Sequence, residues 1–238
     1  MARTPARVLV TRPVRDAERT AEALRRRGHD PVIAPVLQFE PLQPKLPERP
    51  WKAILLTSRN AANVAPAAVD RTRPCFVVGS TTGRAAAASG FTDIRTAGGD
   101  AAALADLVIE NLEPSSGSLL YLCGRHRTGN LAEQLETAGF EVELAECYDM
   151  LPLSFAPDVI RELEAGAIDA VLLYSPRSAH AFASAIVARD LPRTPRILAL
   201  SRAVLAALPS HLAERAIASA EPREAALLDM LDRMRTAG

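Results

Sequence analysis

The chain has 238 residues, 48% of them hydrophobic, enough to bury a substantial core in one large domain or two small ones. Its 28 Lys and Arg cancel its 28 Asp and Glu, and only 4% of residues are aromatic, which argues against a nucleic-acid or membrane-surface partner. Any anion must be recognised locally.

Short β-branched or Leu-rich runs alternate with Ala-rich stretches of helical period, the pattern of βα units stacked around a parallel sheet. In chain order the predicted strands are 8–10, 53–56, 76–78, 119–122, 170–173 and 197–200. Each leads into a short polar loop: "TRPVRD", "TSRN", "GSTTGR", "CGRHRTGN", "YSPRS" and "SRAV". The apolar run at the N-terminus, "MARTPARVLV", is too short for a signal peptide or a membrane span. Cys75, Cys123 and Cys147 are odd in number, widely spaced and set in or beside apolar runs. They read as buried free thiols, and the expected location is the cytoplasm.

The units repeat. The first, 8–33, returns as 119–148, with Gly28 matched by Gly139; "AILLTSRNAANVA" returns as "AVLLYSPRSAHAFA". "CFVVGSTTGRAAAASGF" returns as "RILALSRAVLAALPSHL", and "DIRTAGGDAAALADLVIENL" as "AIASAEPREAALLDMLDRM". Four units in one order describe a duplicated α/β domain. Two proline-bearing stretches, 34–50 and 145–157, interrupt the alternation, each just after the first unit of a repeat. Two crossings mean that the chain leaves a domain and comes back. Residues 1–35 and 152–238 are therefore expected to form one discontinuous domain and 42–145 the other. Segments 36–41 and 146–151 would be extended linkers able to pair side by side.

The ordered set "VLVTRP", "LLTSRNA", "VVGSTTGRAAAASGF", "ECY" and "LLYSPRSA" resembles the uroporphyrinogen-III synthase family over nearly the whole chain. That resemblance implies two similar flavodoxin-like domains with parallel sheets, joined by a two-stranded linker. It also implies an enzyme of heme biosynthesis, a lyase that cyclises hydroxymethylbilane to uroporphyrinogen III with loss of water and inversion of ring D. The reaction would need no cofactor and no metal. The substrate would lie in a cleft between the domains. Monomer is the expected state, because the duplicated pair supplies a cleft without a partner chain.

Parallel α/β sheets bind ligands beyond the carboxyl ends of their strands, where helix N-termini and Ser, Thr and Arg side chains favour anions. A substrate with acetate and propionate arms suits such loops. The resemblance places Tyr148 of "ECYDM" as the catalytic proton donor, although a tyrosine packed in the linker ladder also fits that position. Candidate substrate contacts are Arg12, Thr57, Ser58, Gly79, Ser80, Thr82, Gly124, Arg125, Ser175 and Pro176. The hydroxyls among them also suit plain helix N-caps, and Arg12 also suits a solvated surface. His126 has no partner visible in the sequence. In the second copy Ser201 and Val204 stand where the family usually shows Gly and Thr, and Thr128 stands where a basic residue is expected. The competing reading is a two-domain polycarboxylate- or anion-binding protein without catalysis. A receiver-like module lacks the acidic strand ends that hold Mg²⁺, and a sugar isomerase lacks an evident base.

Overall fold

The computed structural model describes residues 5–127, 129–187, 189, 192 and 195–234; Thr128 lies outside them. In chain order the strands are β1 (Arg7–Val10), β2 (Asp30–Ile33), β3 (Leu37–Pro41), β4 (Ala53–Leu56), β5 (Cys75–Val77), β6 (Ile94–Thr96), β7 (Leu119–Gly124), β8 (Val142–Pro152), β9 (Ala170–Leu173), β10 (Arg196–Ala199) and β11 (Ala216–Ala218). The helices are α1 (Val14–Arg26), α2 (Arg59–Asn63), α3 (Ser80–Ala88), α4 (Ala101–Asn111), α5 (Leu131–Thr137), α6 (Pro157–Glu164), α7 (Pro176–Ala185), α8 (Arg202–Ala206), α9 (Ser210–Ala213) and α10 (Glu224–Met234).

The chain divides into two compact units. Unit 1 is Met1–Gln38 with Leu151–Gly238, and unit 2 is Phe39–Met150. Unit 1 is built on a five-stranded sheet in the order β11-β10-β9-β1-β2, with every pair parallel. The other sheet is six-stranded, β3-β8-β7-β4-β5-β6, and parallel from β8 to β6. When β7 and β8 are taken as the counterparts of β1 and β2, both sheets read 2-1-3-4-5, the flavodoxin-like order. The duplicated pattern thus appears as duplicated topology entered at different points of the chain.

Local chemistry explains the elements. β4 and β9 are buried at all four positions because helices cover both faces of a parallel sheet. In unit 2 the alternation is clean. Ile54, Leu56, Val77, Leu120 and Leu122 pack with Ala61, Ala62 and Ala86 on one face. Ala53, Leu55, Phe76, Leu119 and Tyr121 pack with Leu104, Val108, Leu131 and Leu135 on the other. α1 buries Ala17, Thr20, Ala21 and Leu24, a stripe of helical spacing laid against β1. Gly28 and Gly139, the matched pair, follow α1 and α5 with φ of 80° and 90°, the left-handed geometry that lets a chain leave a helix.

Leu42 N–H donates to the Cys147 carbonyl at 2.8 Å and Leu153 N–H to that of Val36 at 2.9 Å, so the crossings run antiparallel. β8 is longer than a linker. Its eleven residues pair with β7 first and continue into the crossing, with Ala145, Cys147 and Asp149 buried at alternate positions. All three cysteines are free and buried. Burial pushes the Cys75 and Cys147 thiols up to about 12.

Candidate functional site

The carboxyl ends of the unit 2 strands gather most of the residues singled out in the sequence. β4 is followed by Thr57, whose hydroxyl lies 2.8 Å from the Tyr121 hydroxyl of neighbouring β7. Burial raises the Tyr121 phenol above its ordinary value, so it stays protonated. Ser58 caps α2, its Oγ accepting the Asn60 N–H at 3.1 Å. A capping hydroxyl keeps its own proton to donate, so this role does not exclude a ligand.

Beyond β5 and β6 lies a cavity of about 530 Å³ lined by residues 78–82 and 96–99. Gly79 caps α3 in extended backbone, and a Cβ there would be 3.9 Å from the Gly99 Cα, an ordinary contact. What Gly79 contributes is therefore open space at the cavity wall. Ser80 begins α3 at the surface. Thr82, one turn into the helix, is 6% exposed, and no side-chain partner takes its hydroxyl among the described residues.

The end of β7 is distinctive. The register with β8 slips between Cys123 and Gly124, bringing Gly124 opposite Tyr148. The half-buried Tyr148 ring stacks on Phe39, with centroids 5.5 Å apart and planes at 26°. Arg125 N–H donates to the Tyr148 carbonyl at 2.9 Å. The exposed loop that follows is tied to β8 by charge. Arg125 reaches Glu146 at 3.3 Å and Asp149 at 3.2 Å; His126 Nδ1 lies 3.3 Å from Asp149, and Arg127 donates to Glu146 at 3.1 Å.

Arg12, Ser175 and Pro176 belong to unit 1. Arg12 lies over the Tyr174 ring at 4.3 Å and donates to Glu224 at 2.9 Å and to the Thr20 hydroxyl at 3.2 Å, with Asp16 3.4 Å away. Its charge is already matched by carboxylates. Ser175 forms a capping box with Ser178, accepting that residue's N–H at 3.1 Å, and Pro176 occupies the first turn of α7, where no N–H is needed. Ser201 caps α8 in the same way, with Val204 N–H at 3.4 Å.

A family model described as uroporphyrinogen-III synthase HemD matches residues 18–229. The chain belongs to this uroporphyrinogen-III synthase family. Membership makes it a cyclising lyase of tetrapyrrole biosynthesis acting on a small tetrapyrrole substrate. A crystal structure of uroporphyrinogen-III synthetase from Helicobacter pylori is similar in fold, with TM-score 0.67 and 14% identity, covering 97% of this chain and 100% of that one. A mutant uroporphyrinogen III synthase from Thermus thermophilus gives TM-score 0.62 and 17% identity over 98% of this chain and 100% of that one. No curated protein sequence matches the chain. Among the described residues no grouping of three His, Cys, Asp or Glu is placed to hold a metal ion, and no helix is long and apolar enough to cross a membrane.

Sequence reasoning missed three residues beside this candidate site. Asp149, 4% exposed, is the partner that His126 lacked; alternation along β8 from Ala145 and Cys147 would have placed it inward. Phe39, against the Tyr148 ring, came from the other crossing. Tyr121, buried mid-strand, reads as core until its hydroxyl meets Thr57 at the strand end.

Proposed function

We propose that this chain closes hydroxymethylbilane to uroporphyrinogen III, with Tyr148 donating the proton on which the hydroxymethyl oxygen leaves as water. The departing C–O bond leaves an azafulvene cation. Attack from the substituted α-carbon of the terminal pyrrole, through a spiro intermediate, then inverts ring D. The proton released as that pyrrole regains aromaticity returns to the phenolate, so the only net loss is water. A phenol carries the one proton that this step needs.

The observation that carries the reading is the Tyr148 ring, half-buried at the carboxyl end of β7 where α/β sheets bind ligands. Thr82, Ser80, Gly79, Thr57, Ser58 and Arg125 are the proposed substrate contacts of unit 2, and Gly124 is proposed to serve the substrate through Tyr148, which lies across it. The Thr82 hydroxyl at the cavity, with no side-chain partner among the described residues, supports this most directly. Ser175 and Pro176 are proposed contacts of unit 1, and Arg12 joins them only by exchanging Glu224 for a substrate carboxylate. Steering between two sites of attack asks little of any one group. A hundredfold preference for isomer III is about 2.7 kcal/mol, within reach of positioning alone. The chain is further proposed to act as a cytoplasmic monomer, free of nucleic acid, with domains 1–35 plus 152–238 and 42–145. The three buried free thiols fit a reducing compartment.

The test is to supply freshly generated hydroxymethylbilane, with no metal or nucleotide added, and separate the oxidised products by isomer. Isomer III is the expected product. Isomer I alone, at the spontaneous rate, sinks the proposal, and binding of the tetrapyrrole without turnover would favour the non-catalytic polycarboxylate binder.

A further inference from the structure

We infer that Gly124 is a positioning residue for Tyr148, its missing side chain being the seat in which the phenol lies. The inference rests on the reading of Tyr148 as proton donor and goes one step beyond it.

A Cβ built on Gly124 would stand 2.6 Å from Tyr148 Cζ, 2.8 Å from Cε2 and 2.9 Å from the hydroxyl oxygen. All three are closer than real Cβ atoms approach other atoms, and all three belong to the hydroxyl end of the ring. Backbone geometry does not demand glycine here, because Gly124 is not among the glycines with positive φ. The three atoms nearest to that Cβ all belong to Tyr148, so the phenol is what a side chain here would meet first. The slip in register at Cys123 and Gly124 is what sets the two residues opposite each other. The backbone on both sides is fastened: Arg125 N–H holds the Tyr148 carbonyl at 2.9 Å, and Arg127 donates to the Gly124 carbonyl at 3.3 Å. Phe39 holds the ring by stacking. A methyl group at 124 therefore displaces the hydroxyl end of the ring. The ring must swing at its free end, taking the hydroxyl with it. The fold can absorb that movement; a proton donor aligned with one leaving oxygen cannot.

The experiment measures kcat and KM for Gly124→Ala, Tyr148→Phe and the double variant with hydroxymethylbilane, alongside ring-proton NMR of the protein labelled at its three tyrosines. Gly124→Ala is expected to lower kcat about tenfold, to the level of Tyr148→Phe, with KM within about twofold. It should slow Tyr148→Phe by no more than about twofold further, and it should shift the Tyr148 ring resonances while leaving those of Tyr174 in place. An unslowed Gly124→Ala beside a slowed Tyr148→Phe overturns the inference. So does a fall in kcat of the same size in both backgrounds, which would mean that residue 124 touches substrate independently of the phenol. Tyr148→Phe at full speed overturns the donor reading itself and with it any catalytic consequence of the seat. If Gly124→Ala melts early, adding Tyr148→Ala must restore the melting temperature, because the clash is then gone; no recovery also overturns the inference.

Discussion

The two units share one topology and treat the same place in it differently. The switch point of each 2-1-3-4-5 sheet lies between its first and third strands, β1 and β9 in unit 1, β7 and β4 in unit 2. In unit 1 that place is filled from within. Thr11 donates to the Leu172 carbonyl at 2.7 Å, Arg12 lies on Tyr174, and Glu224 receives both Arg12 and, at 3.1 Å, the Tyr174 hydroxyl. Burial, with Glu224 alongside, raises the Tyr174 phenol far above its ordinary value. In unit 2 the corresponding tyrosine position is Thr57, and the strand end carries Gly124 with Tyr148 across it, stacked on a ring instead of bonded to a carboxylate. The third repeat shows the same divergence. Residue N3 of α3 is Thr82 facing a cavity, and N3 of α8 is the buried Val204. Topology supplies two equivalent strand ends; whether an end can serve a ligand depends on whether the chain has already committed its polar groups to itself.

Glu224→Ala is the harshest test of that contrast. It strips the acceptor shared by Arg12, Thr20 and Tyr174 and leaves the guanidinium, 19% exposed, without its closest carboxylate. A loss of about 2–3 kcal/mol in urea unfolding is expected, with kcat of the folded enzyme changed less than about twofold. Full stability with collapsed activity would mean that the unit 1 network serves the substrate, and the contrast would fail. Tyr148→Phe should do the reverse, lowering kcat about tenfold, or about 1.4 kcal/mol of barrier, with little change in unfolding. Thr82→Val, which gives unit 2 the residue of unit 1, sharpens the comparison further. Removing a hydroxyl with no side-chain partner among the described residues should leave stability nearly unchanged, and should cost about 1 kcal/mol of kcat/KM if the hydroxyl bonds substrate. An unchanged kcat/KM would reduce Thr82 to packing.

Much of this was legible in the sequence because parallel strands buried on both faces are continuous apolar runs, and 53–56 and 170–173 read off without error. The repeat located strand ends in both copies, and the family resemblance singled out Tyr148. Partner choice was not legible. Nothing in "TRP" tells that Arg12 folds back onto Glu224, far along the chain. Gly124 was singled out as a substrate contact, but its place opposite Tyr148 was not legible, because a one-residue slip between β7 and β8 has no sequence signature. Asp149 was hidden by reading "ECYDM" as a linker, when its alternation continues that of a buried strand.

The smallest expected effect concerns the opposite, amino-terminal ends of the sheets, where both units carry a glutamate with a lowered pKa. Glu162 of unit 1 is held below its ordinary 4.5 by its hydrogen bond to Arg7, against a smaller opposing effect of burial. Glu141 of unit 2 is held down by the hydroxyl of Ser118 and then by Arg49. A carboxyl whose folded value is lowered contributes stability that is complete above its ordinary value and disappears as pH falls through the lowered one. Both units should therefore lose melting temperature on acidification below about pH 4.5. The two losses should differ, since Glu162 is 30% exposed and Glu141 64%, and solvent weakens the more exposed pair. Glu162→Gln is expected to flatten the acid limb of a melting-temperature profile measurably and Glu141→Gln hardly at all. Equal flattening would show that shielding does not separate the units at this end, and would confine their divergence to the carboxyl ends of the strands.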